Sequence, residues 1–336
     1  MKVLIIRVSS LGDVVHNMPM AQDILRHFPH AQIDWVVEEA YVELLQLTSG
    51  LRRIIPFALR RWRKSLFSKA TRAEMSEFKR TLKSESYDYV FDTQGLLKTG
   101  WIMHHARCAP HGKKYGLGNA SEGSGYEPIS RWFHDHSVVL PARTHAVARA
   151  RLVAASAFGY CAVEEKALPP ADFALKNDDG GHVEWMPSKP YAVFFHGTAG
   201  AAKKWPREHW LALAQALHRQ AWPILLPWGS NAERVEAQEM AASLPQGMLQ
   251  VLPALSMAEA VHLARRAGLV IGVDTGLTHI AAAYCRPTIE MYCASPRWKT
   301  EGNWSPNVIN LGDNGQMPSV AQVLSAIETL AVLEAS

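Results

Sequence analysis

Cysteine is scarce in this chain: four residues in 336 (Cys108, Cys161, Cys285 and Cys293), with no CxxC pair among them. Reduced thiols are expected, not a disulfide framework. Long apolar runs are missing too. No stretch approaches eighteen consecutive apolar residues, so no transmembrane segment is expected. The apolar run before Arg7 is too short for a secretory signal and reads as a strand from residue 2. Several enzyme signatures are also absent. The first strand–helix turn, residues 8–13, holds one glycine in place of GxGxxG, and Gly116–Leu117–Gly118 does not complete that motif. There is no Walker A, GxSxG or HExxH either, so dinucleotide enzymes, P-loop ATPases, α/β-hydrolases and zincins lose support. His104–His105 and His134–Asp135–His136 have no further carboxylate or cysteine at ligand spacing, so neither metal nor cofactor is expected.

What is present is a soluble-enzyme composition, 48% hydrophobic and 20% charged, long enough for two domains. A net charge of +4 is too small for a dedicated nucleic-acid binder, but it is uneven. Residues 51–73 carry eight basic side chains and no acid, a local attractor for anions. Short β-branched runs alternate with helical periodicity: strands at 2–7, 33–37 and 87–91, helices at 13–27, 40–47, 73–85 and 96–106. Residues 110–126 read as a long loop, followed by a helix over 144–158. The boundary falls in 167–190, with Pro169–Pro170 and Asp178–Asp179–Gly180–Gly181. Strands at 191–195, 224–227, 248–252, 269–273 and 288–291 then alternate with helices at 207–220, 232–242, 257–266 and 277–284, and 319–334 is a closing helix. The pattern implies α/β architecture: two doubly wound parallel-sheet halves with a cleft between them.

Four strand-end loops carry ligand-type residues. Asp13 follows the first strand and opens a helix; it reads either as a cap, with Ser10, or as a general base. Asp274, Thr275, Gly276 and His279 follow the strand at 269–273, where a helix N-terminus can hold a diphosphate. The loop from His196 to Pro206 offers Thr198, Ala199 and Lys203 among small residues, as a phosphate-binding loop or a flexible surface one. Leu226–Pro227–Trp228–Gly229 is the fourth, with Glu233 in the helix behind it.

These residues resemble the lipopolysaccharide heptosyltransferases of glycosyltransferase family 9. The resemblance runs through SSLGDVVHNMP at 9–19, DWVVEE at 34–39, RRWRK at 60–64 and DTQGLLKT at 92–99. It continues through KKWPREHW at 203–210, LPWG at 226–229 and VDTGLTH at 273–279. RRWRK points to the branch that adds the first heptose; Tyr126 stands where members often have arginine.

The resemblance implies a GT-B fold of two Rossmann-like domains facing a central cleft: 1–168 binding acceptor, 187–316 binding ADP-heptose, and a helix over 317–336 packing back on the first. It implies inverting, metal-free transfer of L-glycero-D-manno-heptose from ADP-heptose to the inner Kdo of Kdo2-lipid A. That would place the protein in the cytoplasm, peripheral on the inner membrane. Asp13 would be the base. Thr198, Ala199, Lys203, Glu233 (ribose), Leu255 (adenine), Asp274, Thr275, Gly276 and His279 would hold the donor. Ser10, Arg60, Arg61, Arg63, Lys64, Gln94 and Lys98 would hold the acceptor. Transfer to the first heptose, sugar-nucleotide epimerisation, or nucleotide-sugar binding without transfer remain the alternatives.

Overall fold

The computed structural model describes residues 1–122, 124–177, 183–219 and 222–330. Residues 123, 178–182, 220–221 and 331–336 lie outside them, and with them part of the expected boundary and the end of the expected closing helix. The chain divides into two compact units, Met1–Lys176 and Asn177–Ser336.

In the first unit the order is β1 (Lys2–Ile6), α1 (Leu11–His27), β2 (Gln32–Glu38), α2 (Val42–Gln46), β3 (Leu51–Phe57), α3 (Leu59–Trp62) and α4 (Lys69–Lys83). Then come β4 (Tyr87–Asp92), α5 (Leu97–His105), β5 (Cys108–Leu117), β6 (His136–Val138) and α6 (Ala146–Phe158). The sheet order is β3-β2-β1-β4-β5-β6, with every pair parallel. Val3–Ile6 of β1 are fully buried, as expected of a central strand covered on both faces. Helix α6 is fixed to α1 by a buried Arg151–Asp23 pair at 2.6 Å.

Four elements here, β3, α3, β5 and β6, are absent from the sequence reading, and two of them show why. The basic stretch hides β3, whose Arg52 and Arg53 both bind the fully buried Asp34 of β2 at 2.7 Å. Tyr87 donates to the same carboxylate at 2.7 Å. Two of the eight basic residues are therefore sheet ties, not ligand attractors. The stretch expected to be a loop contains β5. Pro110 and Gly112 sit where the register against β4 shifts between Tyr87 and Tyr89, a place that tolerates both residues. A Cβ at Gly112 would lie 2.4 Å from the Tyr87 carbonyl oxygen, so close backbone approach explains the glycine.

The second unit contains β7 (Ala192–Phe195), α7 (Arg207–His218), β8 (Ile224–Leu226), α8 (Asn231–Ala242), β9 (Gln250–Val251) and α9 (Met257–Arg266). It ends with β10 (Leu269–Val273), α10 (Gly276–Ala283), β11 (Thr288–Met291), β12 (Val308–Leu311) and α11 (Val320–Thr329). Its sheet order, β12-β11-β10-β7-β8-β9, is the same winding as the first, and again parallel. The apolar face of α11 carries Val323, Ala326 and Ile327, which lie in the second unit's own core with Trp205, Trp210 and Ile289. No helix among the described residues is long and apolar enough to cross a membrane.

In each sheet the strand order reverses once, between β1 and β4 and between β7 and β10. Diverging connections open a crevice at the carboxyl ends of the strands on either side of such a point, where ligands bind.

Candidate active site

At the first reversal the chain leaves β1 through Arg7–Ser10 and enters α1, with Ser10 as N-cap. Asp13 accepts from the Ser10 N–H at 2.9 Å and from its hydroxyl at 3.0 Å, and pairs with Arg7 at 2.6 Å. Its side chain stays 39% exposed. Burial pushes the carboxyl up, but Arg7, the Ser10 N–H, His16 and the Ser10 hydroxyl outweigh it and hold it well below the usual carboxylate range. Capping and an accessible ionised carboxylate are thus properties of the same group.

Arg7 is itself buried, with one guanidinium arm on the Thr93 carbonyl. Close by in charge terms, α6 buries Arg149, whose Nε has no hydrogen-bond partner among the described residues. Burial pulls Arg149 down to about 10; Arg7 adds to that and Asp13 opposes it.

The neighbouring loop after β4 is organised by buried Asp92, which accepts from the N–H groups of Gln94 and Gly95 at 2.9 and 3.0 Å. Gln94, expected to face the acceptor, turns its amide oxygen to the Val8 N–H at 3.0 Å and buttresses the loop before Asp13. Lys98 donates to the Ser9 hydroxyl at 2.8 Å. Burial draws its ammonium down from the ordinary lysine range, Glu38 opposes this, and Arg60, Arg63 and Arg7 reinforce it.

The RRWRK side chains do not form one uniform patch. Arg61 is bound to Glu39 (3.0 Å) and Glu74 (2.8 Å), while Arg60 reaches the Tyr41 hydroxyl at 3.2 Å. Arg63 lines a cavity, and Lys64 is exposed.

At the second reversal, Asp274 leaves the end of β10 just before α10. Its Oδ2 accepts from Lys203 (2.5 Å) and Ser295 (2.6 Å), and its Oδ1 from His279 (3.1 Å). The other ring nitrogen of His279 meets Glu290 at 2.9 Å. Two carboxylates facing two ring nitrogens require both nitrogens to donate, which is the imidazolium. Burial opposes that charge, but Glu290 and Asp274 outweigh it and raise His279 to about 10. Burial likewise pushes Asp274 up, and His279 and Lys203 together drive it far below the carboxylate range.

His279 therefore stabilises the fold fully below about 6.5, the ordinary histidine value, and loses that contribution as pH rises through about 10. The melting-temperature gap between wild type and His279→Asn should accordingly shrink between pH 6.5 and 10. A gap constant across that window would mean the ring is neutral.

Thr275 caps α10 in extended conformation. The first turn of a helix leaves N–H groups without intrahelical acceptors. Lys203 is 40% exposed beside it, whereas Lys204 is drawn to Glu236 at 2.5 Å. Glu233 accepts from the Gly229 and Ser230 N–H groups at 2.7 and 3.0 Å, and Gly197 is packed so close that a Cβ would sit 2.6 Å from its carboxyl carbon. Thr198 and Ala199 follow in that same loop. Trp228 donates to the Leu252 carbonyl at 2.7 Å, tying the loop after β8 to the one that carries half-buried Leu255.

The sequence reading missed Arg7, Arg149, Ser295 and Glu290. Glu290 had a legible signal: a lone acid inside an apolar strand, fully buried, whose second oxygen accepts from Tyr292 (2.8 Å) and the Gly302 N–H (2.9 Å).

The chain is similar to known proteins. Residues 75–326 match the model of glycosyltransferase family 9 (heptosyltransferase). The chain is 37% identical to lipopolysaccharide heptosyltransferase 1 of Pseudomonas aeruginosa over 87% of its own length and 78% of that protein. E. coli heptosyltransferase WaaC with ADP superposes with a TM-score of 0.83 at 31% identity, covering 98% of this chain and all (100%) of that one. The same enzyme with ADP-2-deoxy-2-fluoro heptose gives 0.77 at 31% identity, covering 98% and 99%. By family model, relatives and two-sheet α/β architecture, the chain belongs to glycosyltransferase family 9, the heptosyltransferases.

Proposed function

We propose that this heptosyltransferase moves L-glycero-D-manno-heptose from ADP-heptose to the inner Kdo of Kdo2-lipid A, in lipopolysaccharide core synthesis at the cytosolic face of the inner membrane. The observation that carries the reading is the pairing of each sheet's reversal with matched chemistry: an accessible, ionised Asp13 in one unit, and Lys203 with a helix N-terminus in the other. The relative's complexes with ADP and an ADP-heptose analogue support the donor assignment.

In this reading the acceptor hydroxyl attacks the anomeric carbon in line. The new C–O bond forms as the bond to the diphosphate breaks, and configuration inverts. Asp13 takes the hydroxyl proton late, when the attacking oxygen has become strongly acidic, so a carboxylate of low basicity suffices. Lys203 and the α10 N–H groups meet the charge that develops on the departing ADP. Asp274 and His279 hold Lys203 and the loop in place; Glu233 and Leu255 serve the nucleoside.

The direct test is incubation with ADP-heptose and heptose-free Kdo2-lipid A, reading ADP release and product mass. One heptose added, with or without EDTA, supports the reading. Transfer only to an already heptosylated acceptor, or loss of activity restored by Mg²⁺, overturns it.

Arg63, Lys64 and Lys98 are the acceptor contacts with charge still available to an anionic sugar. On a water-soluble Kdo acceptor, Arg63→Ala or Lys64→Ala should raise acceptor KM roughly tenfold, the scale of one charge-assisted contact, with donor KM unchanged. Arg61→Ala should change it little, because its guanidinium is already engaged by Glu39 and Glu74. Equal effects at all three positions would show that charge alone matters there.

A further inference from the structure

Apart from the charged edge, the first unit exposes apolar side chains that its own core does not need. Phe67 is 93% exposed and Trp132 85%, in a unit whose other large aromatics are mostly covered. Leu66 and Ile129 are exposed near them in sequence, and Leu97 is exposed where it lines the cavity described next. Arg63 and Glu127, a few residues before Phe67 and Trp132, line one cavity of about 530 Å³ together with Phe57, Trp62, Met75 and Trp101. Glu127 accepts from the Leu97 N–H at 2.6 Å, which draws the 127–132 segment to the start of α5.

Phe67 is set among cations. Arg63, Lys64, Lys69 and Arg72 surround it in sequence, all are exposed, and no acid lies between residues 51 and 73. An isolated exposed leucine needs no explanation; a fully presented phenylalanine and tryptophan with a cationic surround do. Amphipathic aromatics favour the headgroup level of a bilayer, and clustered lysine and arginine are drawn to anionic leaflets.

We propose that Phe67 and Trp132, with Lys64, Lys69 and Arg72, form the surface by which this enzyme docks on an anionic phospholipid leaflet. The cavity between their segments then opens toward the layer that holds a lipid-linked acceptor, a consequence that rests on the proposed function. The docking itself does not.

The test is co-sedimentation of the purified full chain with vesicles of phosphatidylglycerol and phosphatidylethanolamine, without donor or acceptor, against vesicles of phosphatidylcholine. The wild type should bind the anionic vesicles and lose binding as salt is raised. Phe67→Ser and Trp132→Ser should each weaken binding roughly tenfold, the scale of one aromatic side chain returned to water. Lys69→Ala or Arg72→Ala should cost roughly fivefold at low salt. Thermal melting and turnover on a water-soluble acceptor should be unchanged in all four variants. Binding by the Phe67→Ser/Trp132→Ser variant equal to wild type overturns the proposal, as does no binding by wild type. A wild-type dimer that the double variant dissolves, with vesicle binding intact, would assign the patch to a second copy of this chain and also overturn it. Loss of turnover on the soluble acceptor in these variants would place the patch in the acceptor site and overturn the docking role. Failure of the wild type to transfer heptose would count against the proposed function instead.

Discussion

Asp13→Asn is expected to lower transfer by roughly 10²- to 10⁴-fold, the usual range for removing a positioned acid–base group. The exchange is nearly isosteric, and an amide oxygen can still accept from Ser10, so α1 keeps its cap. What is lost is the proton acceptor and the charge facing Arg7. Arg7 stays on the Thr93 carbonyl but is buried without its carboxylate, so the melting temperature should fall while the fold persists. Donor affinity should not change, because the residues proposed to hold the donor belong to the second unit. Single-turnover transfer, donor Kd and melting temperature together separate the chemical loss from the structural one. A folded Asp13→Asn enzyme with near-normal kcat would remove Asp13 from the reaction. Because Arg7 and Ser10 hold the wild-type carboxyl ionised well below neutrality, the acid side of the pH–rate profile should show no Asp13 titration between pH 5 and 8.

Lys203→Ala should cost about 2–4 kcal/mol in kcat/KM, in both donor affinity and turnover, since in the proposed mechanism the same ammonium meets the diphosphate at rest and as it departs. The site should survive the loss: Asp274 keeps His279 and Ser295. Lys204→Ala is the control. Its ammonium is committed to Glu236, so it should leave donor KM nearly unchanged. If Lys203→Ala were silent and Lys204→Ala damaging, the two lysines would have to exchange roles.

The sites were legible wherever a motif coincided with the end of a central strand. Asp13 after KVLII and Asp274 after LVIGV could be placed because buried parallel strands announce themselves as unbroken apolar runs, and helix starts by their caps. Strands away from the sheet centre were less legible. The edge strand β3 is written in arginines whose partner, Asp34, lies on another strand, and β5, one strand in from the other edge, carries Pro110 and Gly112, which ordinarily mark a turn. Single-residue chemistry outside motifs was invisible for a related reason. Nothing local says that Arg7 will fold onto Asp13, that Arg149 will be buried beside them, or that Glu290 will hold His279. Conversely, Arg61 and Gln94 sit within recognisable motifs, yet their functional groups are occupied by neighbours that only the fold brings near.

The Lys203–Asp274 contact has a consequence for how the enzyme responds to its ionic surroundings. A binding site made of bare cations collects mobile counter-ions, and a charged ligand must displace them, so its affinity falls steeply as salt rises. At the donor site the counter-ion is built in. An arriving diphosphate exchanges one fixed carboxylate neighbour for itself, releasing few small ions, and donor affinity should be nearly indifferent to ionic strength. Arg63 and Lys64 stand open to solvent with no carboxylate partner among the described residues, so an acceptor held by them, as proposed, would feel the full screening of the medium. Ionic strength thereby acts on the two substrates unequally. In a salty medium the enzyme stays loaded with donor and waits for acceptor, and the second substrate alone sets the pace.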